Sequence, residues 1–266
     1  MKLTGKTTLL TGAGNGIGRA LALEIIQSGG RVIGCDIRQD GLEETRELLS
    51  PDLRAHFQTQ PLDVTDREAI LVLAARLDGQ VDCLINCAGM IQPFVRLADL
   101  DDAAMERVFN VNWFGTLNMV RAFLPQLVAK PEAQLVNFGS MSSIAPLPGQ
   151  AIYGASKAAI KQLTESLYAE YLDAAFQVTL ILPGAVATNI SSNSGIEMPR
   201  RSGGEGRPSD VAGVEDAART IMAGIEAGEY RVLVDKMVID VDELYRRGPQ
   251  EAVETIARNF GGLLGT

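Results

Sequence analysis

The chain is expected to fold as an α/β protein, a doubly wound parallel sheet of about seven strands with helices on both faces. Short apolar runs alternate along it with longer amphipathic ones, and several of the short runs are apolar on both faces. A strand reads that way when its sheet is covered on both sides, and strands separated by helices imply βαβ crossovers.

The runs read as strands are 7–11, 31–35, 55–60, 81–86, 134–138, 177–182 and 231–234. Helical patterns lie between them at 16–28, 41–49, 66–77, 103–128, 152–174 and 214–227. Thr65 with Glu68 has the form of a capping box and marks the start of the third helix. No internal repeat or low-complexity tract interrupts the order.

Composition narrows the class further. With 266 residues, 46% of them hydrophobic and 21% charged, the chain can bury a large core, and disorder, collagen and coiled coil are excluded. A net charge of −9 repels nucleic acid and anionic bilayers. No apolar run reaches the roughly 18 residues of a membrane span, and Thr7–Thr11 is too short for a signal-peptide core. Cys35, Cys83 and Cys87 form an odd, sparse set, read as buried thiols in a reducing compartment, so the expected address is the cytoplasm. No metal-ligand cluster is expected. Residues 1–240 are expected to form one domain. The tail 241–266, with short helical patterns at 241–247 and 250–259, extends the same domain, either over the substrate mouth, onto a neighbouring subunit, or as a loosely docked surface segment.

Between the first strand and first helix stands Thr11-Gly12-Ala13-Gly14-Asn15-Gly16-Ile17-Gly18. Glycines there let the backbone turn tightly and approach a pyrophosphate, whose charge meets the exposed amides of the helix start. Gly12, Asn15, Gly16, Ile17 and Gly18 are the candidate cradle. Asp36 closes the second strand, where an acidic group accepts hydrogen bonds from a ribose diol and repels a 2′-phosphate. That favours NAD over NADP, although Arg38 stands two residues on. Asp63 and Val64, at the end of the third strand, are placed to flank an adenine, and Asp63 serves equally well as a partner for Thr65.

Tyr153 and Lys157 are four apart at the start of a strong helix and share one face. A free tyrosine titrates near about 10, whereas acid/base work wants a value near about 7, and a neighbouring ammonium with a cationic nicotinamide ring lowers it by Coulomb attraction. The single histidine, His56, lies in the third strand pattern away from any strand end, which argues against a Ser-His-Asp mechanism. Around the pair stand Ser140 after the fifth strand, Asn112 midway along a long helix, Asn86-Cys87-Ala88-Gly89 at the end of the fourth strand, and Pro183-Gly184 at the end of the sixth, with Val186 and Thr188 beyond.

In these motifs, taken in this order from Lys6 to about Val234, the chain resembles the short-chain dehydrogenase/reductase family, whose fold is a Rossmann-like doubly wound sheet. The resemblance implies that Gly12, Gly16 and Gly18 hold the pyrophosphate and Asp36 the adenosine ribose. Asn86, Ala88 and Gly89 would belong to the N-N-A-G motif that braces the sheet beside the cofactor, with Cys87 replacing its middle Asn. It also implies a tetrad of Asn112, Ser140, Tyr153 and Lys157. In it Ser140 polarises the substrate carbonyl and Tyr153 exchanges the proton. Lys157 lowers the Tyr153 pKa and holds the nicotinamide ribose, and Asn112 anchors a water leading to Lys157. Thr188 would bind the carboxamide. Homo-oligomers, dimers or tetramers, are the usual state in such a family.

The substrate end is expected to comprise Met90, Gln92, Met141, Leu147, Gln150, Ile190 and Met198, mostly apolar and pliable, which suits a secondary alcohol or ketone with hydrophobic substituents. Residues 189–209, rich in Ser, Gly and Arg, follow a strand end and read as a lid over the site or as a solvated excursion. Arg200 and Arg201 there are either grips for a carboxylate or solvated charges. The leading expectation is an oxidoreductase moving a hydride between NAD(H) and a secondary alcohol or ketone. The alternatives are an NADPH-dependent carbonyl or 3-oxoacyl thioester reductase and a non-catalytic dinucleotide sensor.

Overall fold

A computed structural model describes residues 1–187, 190–196 and 212–264. Seven parallel strands form one sheet in the order β3-β2-β1-β4-β5-β6-β7. They are β1 (Thr7–Thr11), β2 (Arg31–Asp36), β3 (Phe57–Pro61), β4 (Cys83–Asn86), β5 (Ala133–Phe138), β6 (Phe176–Leu182) and β7 (Arg231–Leu233). The order reverses between β1 and β4, where Thr11 stands opposite both Cys35 and Asn86. At such a switch point the crossovers diverge to opposite faces and leave a crevice beyond the strand ends.

Alternation along the strands builds the two faces. Leu10, Ile85, Val136 and Ile181 point into a core under α1 (Gly16–Gln27) and α8 (Val214–Ala227), which pack against each other. Their neighbours Leu9, Leu84 and Leu135 point the other way, toward α3 (Arg67–Arg76) and α5 (Thr116–Val128). With both faces covered, the central strands are apolar throughout. The remaining helices are α2 (Gln39–Glu47), α4 (Asp102–Phe109), α6 (Ala151–Glu170), the short turn α7 (Ile190–Asn193), α9 (Lys236–Arg247) and α10 (Pro249–Phe260).

Three local expectations need correction. The third helix is not started by a Thr65–Glu68 box: Asp66 is the N-cap, accepting from Ala69 N at 3.0 Å, while the Thr65 hydroxyl turns to Asp63 at 2.7 Å. The Asp66 carboxylate reaches the third amide of the helix directly, so the Thr65 hydroxyl is released. His56 lies in a 3₁₀ turn, Arg54–His56, before β3 rather than within the strand. The helix expected over 103–128 is interrupted at Asn110–Gly115 by a wide π turn. Such turns redirect a side chain out of the helical ladder, and here the one redirected is Asn112.

The tail is more helical than expected. Asp235 caps α9 by accepting from Val238 N at 3.1 Å, and α10 starts with Pro249 in its first turn. Val238, Val241 and Ile256 bury against Leu180, Leu182 and Met141, forming a third apolar cluster beside the strand ends of β6. Among the described residues no helix is long and apolar enough to cross a membrane. Cys35 and Cys83 are buried unpaired thiols whose pKa burial raises, and Cys87 is unpaired and half-buried.

Candidate active site

The carboxyl ends of β1, β2, β4, β5 and β6 open into a cavity of about 840 Å³. Gly12, Asn15, Gly16, Ile17 and Gly18 line its first wall. Gly12 has φ +73°, and its missing side chain lets the loop lie against the Ala88 backbone. A Cβ at Gly18 would fall on the Gly12 carbonyl oxygen, so only glycine allows the first turn of α1 to close against the strand end. Asn15 caps α1, its Oδ1 accepting from Gly16 N at 2.6 Å. Two residues that sequence reasoning gave no role hold this loop from behind. The Arg19 guanidinium donates to Gly14 O at 2.5 Å and to Gly41 O at 3.3 Å, and the Thr45 hydroxyl donates to Ala13 O at 2.9 Å. Arg19 is visible in the sequence only as a residue where a commoner glycine pattern would have its last glycine.

At the adenosine end, the Asp36 carboxylate accepts from Gly14 N and from Arg38 N, each at 3.0 Å. It is thus fixed facing the cavity, while Arg38 turns its Nε to Asp40 at 3.4 Å. Asp63 and Val64 also line the cavity, but the Asp63 carboxylate is already taken by Thr65 N and Oγ1.

Beyond β4, Ala88 and Gly89 line the cavity and Asn86 does not. Asn86 is buried and donates to Asn137 Oδ1 at 2.8 Å, which in turn donates to Thr164 at 3.0 Å. It ties β4 to β5 and α6 rather than touching a ligand. Thr11 Oγ1 accepts from the backbone N–H groups of Cys87 and Ala88, both at 3.1 Å, so this turn is braced from β1 although the Cys87 side chain has no amide group of its own.

Ser140, Tyr153 and Lys157 meet on the cavity wall below Gly89. Ser140 caps the turn Met141–Ser143, its hydroxyl accepting from Ser142 N at 3.1 Å, and its side chain stands beside the Tyr153 phenol. Burial lifts the Tyr153 pKa above that of an ordinary phenol, and the Ser140 contact opposes the rise. Lys157, one turn along α6, donates to Phe138 O at 3.0 Å, and burial lowers its pKa to about 8. Burial pushes the nearby Cys87 thiol up to about 12 against the pull of Lys157. Asn112 is fully buried and does not line the cavity. Its Oδ1 accepts from Met90 N at 2.9 Å, and its Nδ2 donates to Met90 O and Ser156 Oγ, both at 3.0 Å. Oδ1 and Lys157 Nζ lie 3.2 and 3.3 Å from where a Gly89 Cβ would stand, so that glycine keeps the gap between them open.

Met90, Met141, Leu147, Gln150 and Ile190 line the outer part of the cavity, as do Pro183, Gly184 and Val186. Gln92 is the exception among the expected substrate residues: it is buried behind the wall. Thr188, Met198, Arg200 and Arg201 lie outside the described residues, with most of the expected lid. The part that is described, Ile190–Ile196, spans the mouth: Asn193 accepts from Asn15 at 3.3 Å, and Ser194 Oγ accepts from Ile91 N at 3.1 Å. Sequence reading missed Ile91 and Phe94, Met237 at the start of α9, and Phe260 and Leu263 from the tail. The signal for the tail residues was the apolar stripe of its two helices, which does not say what the stripe faces.

The residues present fit a nicotinamide dinucleotide. A glycine cradle, a fixed carboxylate 22 residues after its central Gly14 and a tyrosine–lysine pair line one continuous cavity. Comparison with known proteins agrees. The short chain dehydrogenase family model matches residues 6–198. A protein of Mycobacterium tuberculosis (strain ATCC 25618 / H37Rv) named as an oxidoreductase, SadH, is 34% identical over 252 residues, covering 91% of this chain and 90% of that one. The 2-keto-3-deoxy-L-fuconate dehydrogenase of Xanthomonas campestris pv. campestris is 35% identical over 188 residues, 70% of this chain and 60% of that one. Among solved structures, a short-chain dehydrogenase/reductase from Burkholderia phymatum in complex with NAD superposes with a TM-score of 0.80 at 25% identity, covering 94% of this chain and 96% of that one. One from Burkholderia cenocepacia J2315 in complex with NADP gives 0.80 at 26% identity, with 98% and 99% covered. Crevice, cradle and relatives converge: the chain belongs to the short-chain dehydrogenase/reductase family and is a dinucleotide-dependent oxidoreductase acting on a small molecule.

Proposed function

We propose that this oxidoreductase uses NAD(H) to interconvert an apolar secondary alcohol and its ketone, with Tyr153 as the proton donor and acceptor. The observation that carries the reading is the meeting of Ser140, Tyr153 and Lys157 on one wall of a cavity whose far end presents the Asp36 carboxylate. When bound, the oxidised nicotinamide accepts the hydride and adds a positive charge beside the phenol.

The chain's own groups do the rest. Gly12, Asn15, Gly16, Ile17 and Gly18 receive the pyrophosphate at the start of α1. Asp36 accepts from the adenosine ribose and turns away a 2′-phosphate, since Arg38 is engaged with Asp40. Asp63 and Val64 flank the adenine; Pro183, Gly184, Val186 and Thr188 bound the nicotinamide. Ala88 and Gly89 form the wall that Asn86 braces from within. Ser140 donates to the substrate oxygen, Tyr153 passes its proton to that oxygen or takes it away, and the Lys157 ammonium favours the phenolate. Asn112 holds the Met90 backbone beside Lys157. The outer cavity, walled by Met90, Met141, Leu147 and Ile190, suits apolar substituents on the carbinol carbon.

Residues 1–240 and the tail 241–266 act as one catalytic unit, because tail residues wall the same cavity. The usual state of the family makes a homo-oligomer, dimer or homotetramer, part of the proposal. A cytoplasmic address is supported by three unpaired thiols.

Fluorescence titration of the purified protein should give at least about tenfold tighter binding of NADH than of NADPH. Tighter NADPH would replace the reading with a biosynthetic reductase. Tyr153→Phe should keep NADH binding and lose roughly a hundred- to ten-thousand-fold in turnover of secondary alcohols. Full activity in that variant would remove Tyr153 from the proton step.

A further inference from the structure

Helix α6 carries both Tyr153 and Lys157, yet its start is poorly equipped to hold itself. Its N-cap, Gln150, makes no side-chain capping bond, and glycines stand at 149 and 154, the first with φ +80°. The amides of Ile152 and Tyr153 precede the first intrahelical bond, Gly154 N to Gln150 O at 2.8 Å, and need acceptors from elsewhere. Gln92, some sixty residues earlier in the chain, provides both. Its Oε1 accepts from Ile152 N at 2.8 Å and from Tyr153 N at 2.9 Å. Its Nε2 donates to Gly149 O at 3.0 Å, and its own carbonyl accepts from Gln150 Nε2 at 2.7 Å. The amide orientation is forced, since two N–H groups face one end and a carbonyl the other.

Gln92 is fully buried and absent from the cavity wall, so neither solvation nor ligand contact accounts for a polar side chain there. Two residues upstream, Met90 is gripped through its own N–H and carbonyl by Asn112. The strap 90–92 is therefore pinned to the π turn at one end and to the first turn of α6 at the other.

We propose that Gln92 is a positioning residue for the proton step: it caps α6 from a distance and so fixes where the Tyr153 phenol stands against Ser140 and Lys157. The proposal rests on the reading of Tyr153 as the acid/base group. Without the cap, two part-buried amides lose their acceptor and the first turn frays, taking Tyr153 with it while Lys157, a turn further in, stays bonded to Phe138. The group facing the phenol is Ser140 from the Met141–Ser143 turn; Lys157, one turn further along α6, lines the same wall with the Cys87 thiol beside it. A phenol shifted along the wall while still buried keeps the effect of burial, loses the Ser140 contact that opposes it, and titrates higher.

The test needs no substrate. In the full-length protein saturated with NAD⁺, the ultraviolet absorbance of tyrosinate is followed against pH, and the Tyr153→Phe trace is subtracted to isolate Tyr153. Gln92→Met should raise that midpoint by about one pH unit. NADH binding should stay within about twofold, because Gln92 does not face the cavity. If Gln92→Met does not fold, Gln92→Asn, one methylene too short to reach both amides, carries the same expectation. An unchanged midpoint in a folded Met or Asn variant overturns the proposal. If subtracting Tyr153→Phe removes no tyrosinate near neutral pH, the acid/base reading itself has failed, and the proposal falls with it for that separate reason.

Discussion

Lys157 donates from Nζ to the carbonyl oxygen of Phe138 at 3.0 Å, which moors the ammonium to the last residue of β5. That bond holds the cation in a buried place where its charge is opposed, and burial brings its pKa down from 10.5 to about 8. The fold therefore carries a buried charge that burial disfavours.

The sign of its effect on stability follows from proton binding. Between pH 8 and 10.5 the unfolded chain holds the lysine proton more tightly than the folded one, so this group's contribution rises with pH. Below that window its penalty is fully present, of order 3 kcal/mol. Lys157→Met removes the penalty and orphans the Phe138 carbonyl, a loss of about 1 kcal/mol. The cofactor-free variant should therefore be about 2 kcal/mol more stable than the parent at pH 7, with the gain gone by about pH 10. Urea denaturation at the two pH values measures this. A variant less stable at pH 7 would mean that the ammonium is better solvated than its burial implies.

Asp36 sits under a different constraint, fixed by two backbone amides before any ribose arrives. Asp36→Ala removes both acceptor and negative charge, so NADH should bind roughly tenfold more weakly while NADPH binds more tightly. The NADH-to-NADPH preference should shrink by at least about a hundredfold, because both changes act on it. Parallel fluorescence titrations of parent and variant read the ratio. An unchanged ratio would assign selectivity to another group, with Arg38 the first to examine.

What could be read from the sequence divides along physical lines. The sheet, its apolar strands and the glycine cradle were legible because each follows from local periodicity or from the conformational freedom of one residue type. Tyr153, Lys157 and Ser140 were legible because their spacing places them on one wall whatever the details. Gln92 was misassigned for the opposite reason. An amide side chain near a strand end faces a ligand or a helix start equally well, and only the distant sequence around Gly149 makes the second need pressing. Asn112 was expected in a regular helix because the π turn leaves no mark on hydrophobic spacing. Thr65 lost the cap to Asp66 by one residue, within the usual uncertainty of helix ends.

The tail illustrates the same limit and yields the last expectation. Its apolar stripe was plain, but stripes do not name their partner. In the structure Phe260, at the end of α10, and Leu263 just beyond line the outer cavity with Met237 from α9. Phe260 is only partly buried there, packed against the cluster that includes Met141 and Val238. Phe260→Ala therefore removes more wall than core. If apolar substituents rest on that wall, the variant should lose binding in both ground and transition states, raising KM roughly tenfold with kcat within about twofold. The loss should grow along a series of methyl ketones of increasing chain length and be absent for the shortest. A fall in kcat at constant KM, equal for all members, would place Phe260 in the packing that supports Met141 and the Ser140 turn rather than against the substrate.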